Sequence, residues 1–73
     1  MRYKIIVLSS VTYALKAQGM LAREGVDTRL EKLSRTRTLK GCGYGLRVSS
    51  SNLDKAVKLL NLERIRIVEI IDY

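Results

Sequence analysis

A single cysteine is the residue of this chain whose chemistry stands out most clearly. Cys42 lies between Gly41 and Gly43, and a further glycine follows at Gly45. Glycine permits positive φ angles and close approach of another molecule, so this pattern is typical of an exposed thiol and not of a packed core. The alternative is that Cys42 is a small buried hydrophobe, because free cysteines are often buried.

Basic side chains are concentrated around this cysteine. Between residues 29 and 47 there are six Lys and Arg and one acidic residue, so this segment carries +5 of the chain's net charge of +7. Positive potential favours the thiolate over the thiol, although an ordinary solvated segment would have the same composition. We expect the thiolate and its loop to be stabilised by Arg35, Arg37, Lys40, Gly41, Gly43, Gly45 and Arg47.

The composition limits the reactions that the chain can support. It contains no histidine, which excludes an imidazole base, a histidine-containing zinc site and a Ser-His-Asp arrangement. One cysteine cannot form an internal disulfide or a CxxC pair. We therefore expect a protein that is not an enzyme, that needs no cofactor or metal, and that resides in the reducing cytoplasm. No apolar run reaches the length of a membrane-spanning helix.

Periodicity and capping signals predict the elements that position the cysteine. They are a strand at residues 3–8, a helix from the Ser10 cap to Gly25, a strand at residues 26–33, a loop at residues 34–43, a strand at residues 44–48, a helix beginning with a capping box of Ser51 and Asp54, and a strand at residues 65–72. This β-α-β-β-α-β order is the ferredoxin-like pattern of the α+β class. We expect one domain over residues 1–73, with a four-stranded sheet and two helices on one face.

No predicted element of the chain packs on the face of the sheet opposite the helices. The first and last strands are apolar on both faces, whereas a sheet face in contact with water normally carries polar residues. We therefore expect a homodimer, or another protein, to dock on this face through Ile6, Leu8, Val68 and Ile70. The alternative is that these aliphatic side chains stay exposed to solvent without a partner, since ordinary protein surfaces also carry apolar area.

The pattern GCGxGLRV at residues 41–48 is similar to the signature of the selenium/sulfur carrier protein-like family. The resemblance spans nearly the whole chain. It implies that Cys42 accepts a sulfur or selenium atom as a persulfide or selenopersulfide and hands it on. The donor that it implies is an enzyme of the cysteine desulfurase or selenocysteine lyase type. Thiolate attack on the outer chalcogen requires no metal.

A second class of function fits the same charge and fold. A basic ferredoxin-like module binds nucleic acid or an acidic protein, and Tyr3 and Tyr44 lie on predicted strands where bases could stack. The aromatic motif of RNA-recognition modules is absent, since the chain has no Phe. Cys42→Ser distinguishes the two classes, because it abolishes loading of a carrier and leaves a binding module intact. Charge reversal at Arg35 and Arg37 would instead weaken nucleic-acid binding.

Overall fold

The computed structural model of the protein describes residues 2–33 and 43–73. Its elements are β1 (Tyr3–Leu8), α1 (Val11–Arg23), β2 (Thr28–Lys32), β3 (Tyr44–Ser49), a 3₁₀ turn (Ser50–Asn52), α2 (Leu53–Leu62) and β4 (Ile67–Asp72). The strands form one antiparallel sheet in the order β2-β3-β1-β4. The predicted ferredoxin-like α+β fold is therefore confirmed. Neither helix within these ranges has the length and apolar character needed to cross a bilayer.

Helix α1 begins and ends at the residues that the sequence indicates. Ser10 has an extended backbone (φ −156°, ψ 160°), and its hydroxyl accepts a hydrogen bond from the Tyr13 backbone N–H. Beyond the helix, Gly25 has a φ of +80°, a left-handed conformation that glycine adopts without strain. The side chains that α1 buries are Ala14, Ala17 and Leu21. The two alanines let the helix pack closely on the sheet, and the larger Leu21 side chain is fully buried in the core.

Helix α2 begins differently from the prediction. Its N-cap is Asn52, which makes no side-chain capping hydrogen bond. Ser51 lies within the 3₁₀ turn, where its hydroxyl is 2.8 Å from the hydroxyl of Ser49. The predicted capping box of Ser51 and Asp54 is therefore wrong, because the 3₁₀ turn moves the helix start beyond Ser51 and its hydroxyl bonds to a neighbouring serine instead.

Each face of the sheet carries an apolar cluster. The cluster between the sheet and the two helices includes Ile6, Leu8, Leu21, Leu46, Val48 and Leu60. On the second face, opposite the helices, Ile5, Val7 and Leu33 form a smaller cluster with Val68 and Ile71 packed against it. Ile5 and Val7 are both 0% exposed, so the centre of the second face is withdrawn from solvent.

Three of the four residues predicted to line the uncovered face lie elsewhere. Ile6 and Leu8 are buried in the cluster beneath the helices, so their assignment to a docking face is wrong. Ile70 pairs directly with Ile6 across the strands and therefore shares its side of the sheet. Val68 does contact the second face, because the register of β4 on β1 shifts between Val7 and Leu8 and breaks the alternation. Homodimer formation itself stays a prediction.

Candidate functional site

The residues predicted to form the thiol site fall partly outside the described part of the chain. Gly43, Gly45 and Arg47 belong to the described residues. Outside them lie Arg35, Arg37, Lys40, Gly41 and Cys42, together with the rest of the predicted loop before Gly43. Of this predicted site the structure therefore describes Gly43, Gly45 and Arg47, and Leu33 is the described residue at the other border of segment 34–42.

The two residues that border segment 34–42 are bonded to each other. The Leu33 N–H donates a hydrogen bond of 2.6 Å to the carbonyl oxygen of Gly43. This bond extends the β2–β3 pairing by one step beyond the pair of Lys32 and Tyr44. The Leu33 side chain is buried in the cluster of the second face. Gly43, the residue after Cys42, is therefore held to β2 through its own backbone.

Gly43 has a backbone conformation that favours glycine. Its φ is +84°, in the left-handed region that L side chains rarely adopt. A Cβ added there would lie 3.4 Å from the carbonyl oxygen of Leu33, which is an ordinary contact, so the constraint at this position is the φ angle. The positive φ that the sequence pattern permits is thus realised at the residue following Cys42.

Gly45 is required for close packing and not for a positive φ. It lies in β3 and pairs with Val7 of β1 and Glu31 of β2. A Cβ at this position would be 2.5 Å from Ile5 Cγ2 and 3.0 Å from the Ile6 carbonyl oxygen. The absence of a side chain therefore allows the two central strands to approach each other beside Ile5.

We expect Gly45→Ala to lower the free energy of unfolding by about 1–3 kcal/mol, the usual range for overpacking. Ile5 is fully buried and stiff, and the Ile6 carbonyl is part of the backbone, so neither can move away freely. Gly19→Ala in α1 is the matched control, because nothing lies within 4 Å of a Cβ there. That variant should gain about 1 kcal/mol from helix propensity. Urea unfolding measures both, and a Gly45→Ala variant as stable as the wild type would contradict the packing role.

Arg47 lies between an acidic side chain and two aromatic rings. Its Nε is 3.5 Å from Glu31 Oε2. The guanidinium carbon is 5.0 Å from the ring centroid of Tyr3 and 4.7 Å from that of Tyr73. The two rings meet edge to face, with centroids 6.0 Å apart and planes at 77°. Cation–π attraction therefore holds Arg47 against both tyrosines.

These contacts place Arg47 toward the end of the sheet remote from Gly43. Tyr3 pairs with Ser49, the last residue of β3, whereas Gly43 directly precedes that strand. Four residues of extended chain separate Gly43 from Arg47, about 13 Å at the usual rise of a strand. A role of Arg47 in stabilising the Cys42 thiolate stays a prediction.

Tyr3 and Tyr44, both predicted to lie on strands where bases could stack, lie on opposite faces of the sheet. Tyr3 lies on the second face, whereas Tyr44 is two residues from Leu46 and so shares the helix-covered face. Tyr73 joins Tyr3 instead, and its N–H donates a 3.3 Å hydrogen bond to the Tyr3 carbonyl. Sequence reasoning missed this pair because it does not give the register of β4 on β1. With Asp72 opposite Lys4, that register brings the two rings together.

The protein is a small α+β protein of the ferredoxin-like type with a single cysteine. That cysteine directly precedes Gly43, whose backbone bonds to Leu33 at the end of the β2–β3 pairing. The chain belongs to the family described as "Putative Se/S carrier protein-like", whose model matches residues 2–72. The resemblance seen in the sequence is therefore confirmed. Searches of curated proteins and of solved structures gave no match.

Proposed function

We propose that this protein carries sulfur or selenium, with Cys42 accepting the atom and passing it on. The observation that carries the proposal is membership of a family described by this cargo, in a chain with one thiol. Chalcogen transfer requires a nucleophilic thiolate, and Cys42 is the residue of this sequence that can supply it. The protein then acts as a carrier and has no self-contained active site.

The proposed transfer is an exchange reaction at sulfur. The Cys42 thiolate attacks the outer sulfur of a persulfide on a donor cysteine. The donor's S–S bond breaks while a new S–S bond forms at Cys42, and the donor cysteine leaves as a thiolate. The transferred sulfur keeps its oxidation state, so the step consumes no oxidant or reductant. With selenium as the outer atom, the product is a selenopersulfide.

Delivery reverses the same exchange. An acceptor thiolate attacks the outer atom held by Cys42, which releases the cargo and regenerates the Cys42 thiolate. We propose a donor of the cysteine desulfurase or selenocysteine lyase type, which presents a chalcogen bound to cysteine. Positive charge at Arg35, Arg37 and Lys40 would stabilise both the thiolate and the terminal persulfide anion.

The described border residues support this role. Functional residues are commonly carried by loops whose ends are held by a rigid scaffold. The hydrogen bond between Leu33 and Gly43 supplies such a support beside Cys42, and the buried Leu33 side chain attaches it to the cluster of the second face.

Mass spectrometry of the intact protein tests the proposal. The chain is incubated with a cysteine desulfurase and cysteine in the absence of reductant, and with the desulfurase omitted as the control. We expect the mass to increase by one sulfur atom, the increase to map to the peptide containing Cys42, and dithiothreitol to remove it. An unchanged mass with both sulfur and selenium donors would contradict the carrier function.

A further inference from the structure

A cleft of about 580 Å³ opens where β1 begins and β3 ends, away from Gly43. Its lining includes Tyr3, Arg29, Arg47, Ser49, Ser51 and Asn52. This volume is in the range of small-ligand sites, but the lining is mostly polar and charged, which suits a hydrophilic, charged ligand and not an apolar one. None of the lining residues lies in segment 34–42, which contains Cys42.

The two arginines of this cleft are direct cross-strand partners. Arg29 pairs with Arg47, so both side chains extend from the same face of the sheet. Like charges directly opposite each other destabilise a sheet. Glu31 offsets the charge of Arg47, whereas Arg29 is exposed and has no ion-pair partner among the described residues. An anion bound in the cleft would relieve this repulsion.

A second cleft of about 380 Å³ shares Tyr3 with the first. Arg2 and Lys4 line it, together with Asp72 and Tyr73. The hydrogen bond and the charge of Lys4 hold the pKa of Asp72 below its ordinary value. Lys4 and Asp72 therefore offset each other, and Arg2 leaves this cleft with a positive charge.

Asp27 also lines the first cleft, so Asp27 and Glu31 together balance its two arginines in number. Arg29 is nevertheless exposed and forms no ion pair among the described residues. Tyr3, which joins the clefts, is 37% exposed, and Tyr73 is 54% exposed. Exposed aromatic rings flanked by Arg29 and Arg2, which are exposed and form no ion pair among the described residues, match the chemistry of a nucleic acid strand, in which planar bases alternate with phosphates.

We propose that the two clefts bind single-stranded nucleic acid. A base stacks on Tyr3, and the flanking phosphates lie beside Arg29 in one cleft and Arg2 in the other. The polar residues Ser49 and Asn52 provide hydrogen-bonding groups along the first cleft. The chain's net charge of +7 strengthens the attraction to the phosphates and confers no preference for a particular base sequence.

Fluorescence anisotropy with a labelled single-stranded RNA of about eight nucleotides tests this site, a length within the range of single-strand binders. We expect saturable binding that weakens as salt increases. Unlabelled single strands should compete well, whereas AMP and a duplex of the same length should compete poorly. Circular dichroism checks that every variant is folded.

Two pairs of variants locate the binding site. Tyr3→Leu should weaken binding about 5- to 150-fold, the range associated with base–aromatic stacking. Tyr13→Leu, which changes a tyrosine of α1 that is 47% exposed, should not. Arg29→Ala should weaken binding and reduce the salt slope by about 1, whereas Arg23→Ala on α1 removes the same charge with little effect.

Several outcomes would overturn the proposal. They are no binding at low salt, equal losses within each pair of variants, and equal competition by AMP or by duplex. Cys42→Ser should bind RNA as the wild type does. Loss of sulfur loading together with intact RNA binding, or the reverse, therefore separates this site from the proposed carrier function.

Discussion

Cys42→Ser should gain no sulfur under conditions in which the wild-type chain gains one atom. A serine hydroxyl is not ionised near neutral pH and cannot form the S–S bond that holds the cargo. The chain contains no second cysteine to take over the reaction. Loading should therefore fall below detection and not merely slow down. Intact-mass spectrometry and transfer of radiolabelled sulfur from cysteine measure the difference.

The control for this variant is its folding. Cys42→Ser should keep the circular dichroism spectrum of the wild type, so that lost loading is assigned to the missing thiol. Sulfur retained by a folded Cys42→Ser protein would contradict the carrier function. Lys40→Ala should load several-fold more slowly because it removes a cation two residues from Cys42 in the sequence, and Lys58→Ala on α2 is its matched control.

Ile6→Ala should lower the free energy of unfolding by about 2–5 kcal/mol, the usual cost of emptying a buried aliphatic site. Ile6 is 0% exposed in the cluster between the sheet and the helices. Ile70→Ala should cost less than about 1 kcal/mol, the span of strand propensities. Ile70 is 42% exposed and pairs directly with Ile6. The two variants therefore compare the same substitution at adjacent positions that differ in burial.

Urea unfolding followed by circular dichroism measures both variants. A domain of 73 residues is only marginally stable, so Ile6→Ala could unfold it entirely. The milder variant Ile6→Val is therefore measured as well, and it should lower the free energy of unfolding by about 0.5–1.5 kcal/mol. Equal destabilisation by Ile6→Ala and Ile70→Ala would mean that the two residues are equally buried. That result would agree with the sequence-based prediction, which placed both on the face without helices, and would contradict the difference in burial described above.

Local signals were sufficient to predict the order of the elements. The predicted first strand has the same bounds as β1, Tyr3–Leu8, and the Ser10 cap and the Gly25 turn lie where expected. Each of these signals acts within a few residues, through a side chain bonding to nearby backbone or a backbone angle open to glycine. The error at Ser51 arose where a 3₁₀ turn competed with the capping box for the same residues.

The amino-acid sequence by itself determined the single thiol, the cations around it and the ferredoxin-like order of elements, because composition and local periodicity do not depend on distant contacts. Only the tertiary structure decided which face of β1 lies under the helices, since Ile5 to Leu8 are apolar on both sides and alternation cannot distinguish them. It also brought Tyr73 to Tyr3 and placed Ile5 where Gly45 leaves room. Those contacts depend on strand register, which joins residues far apart in the chain and leaves no local trace.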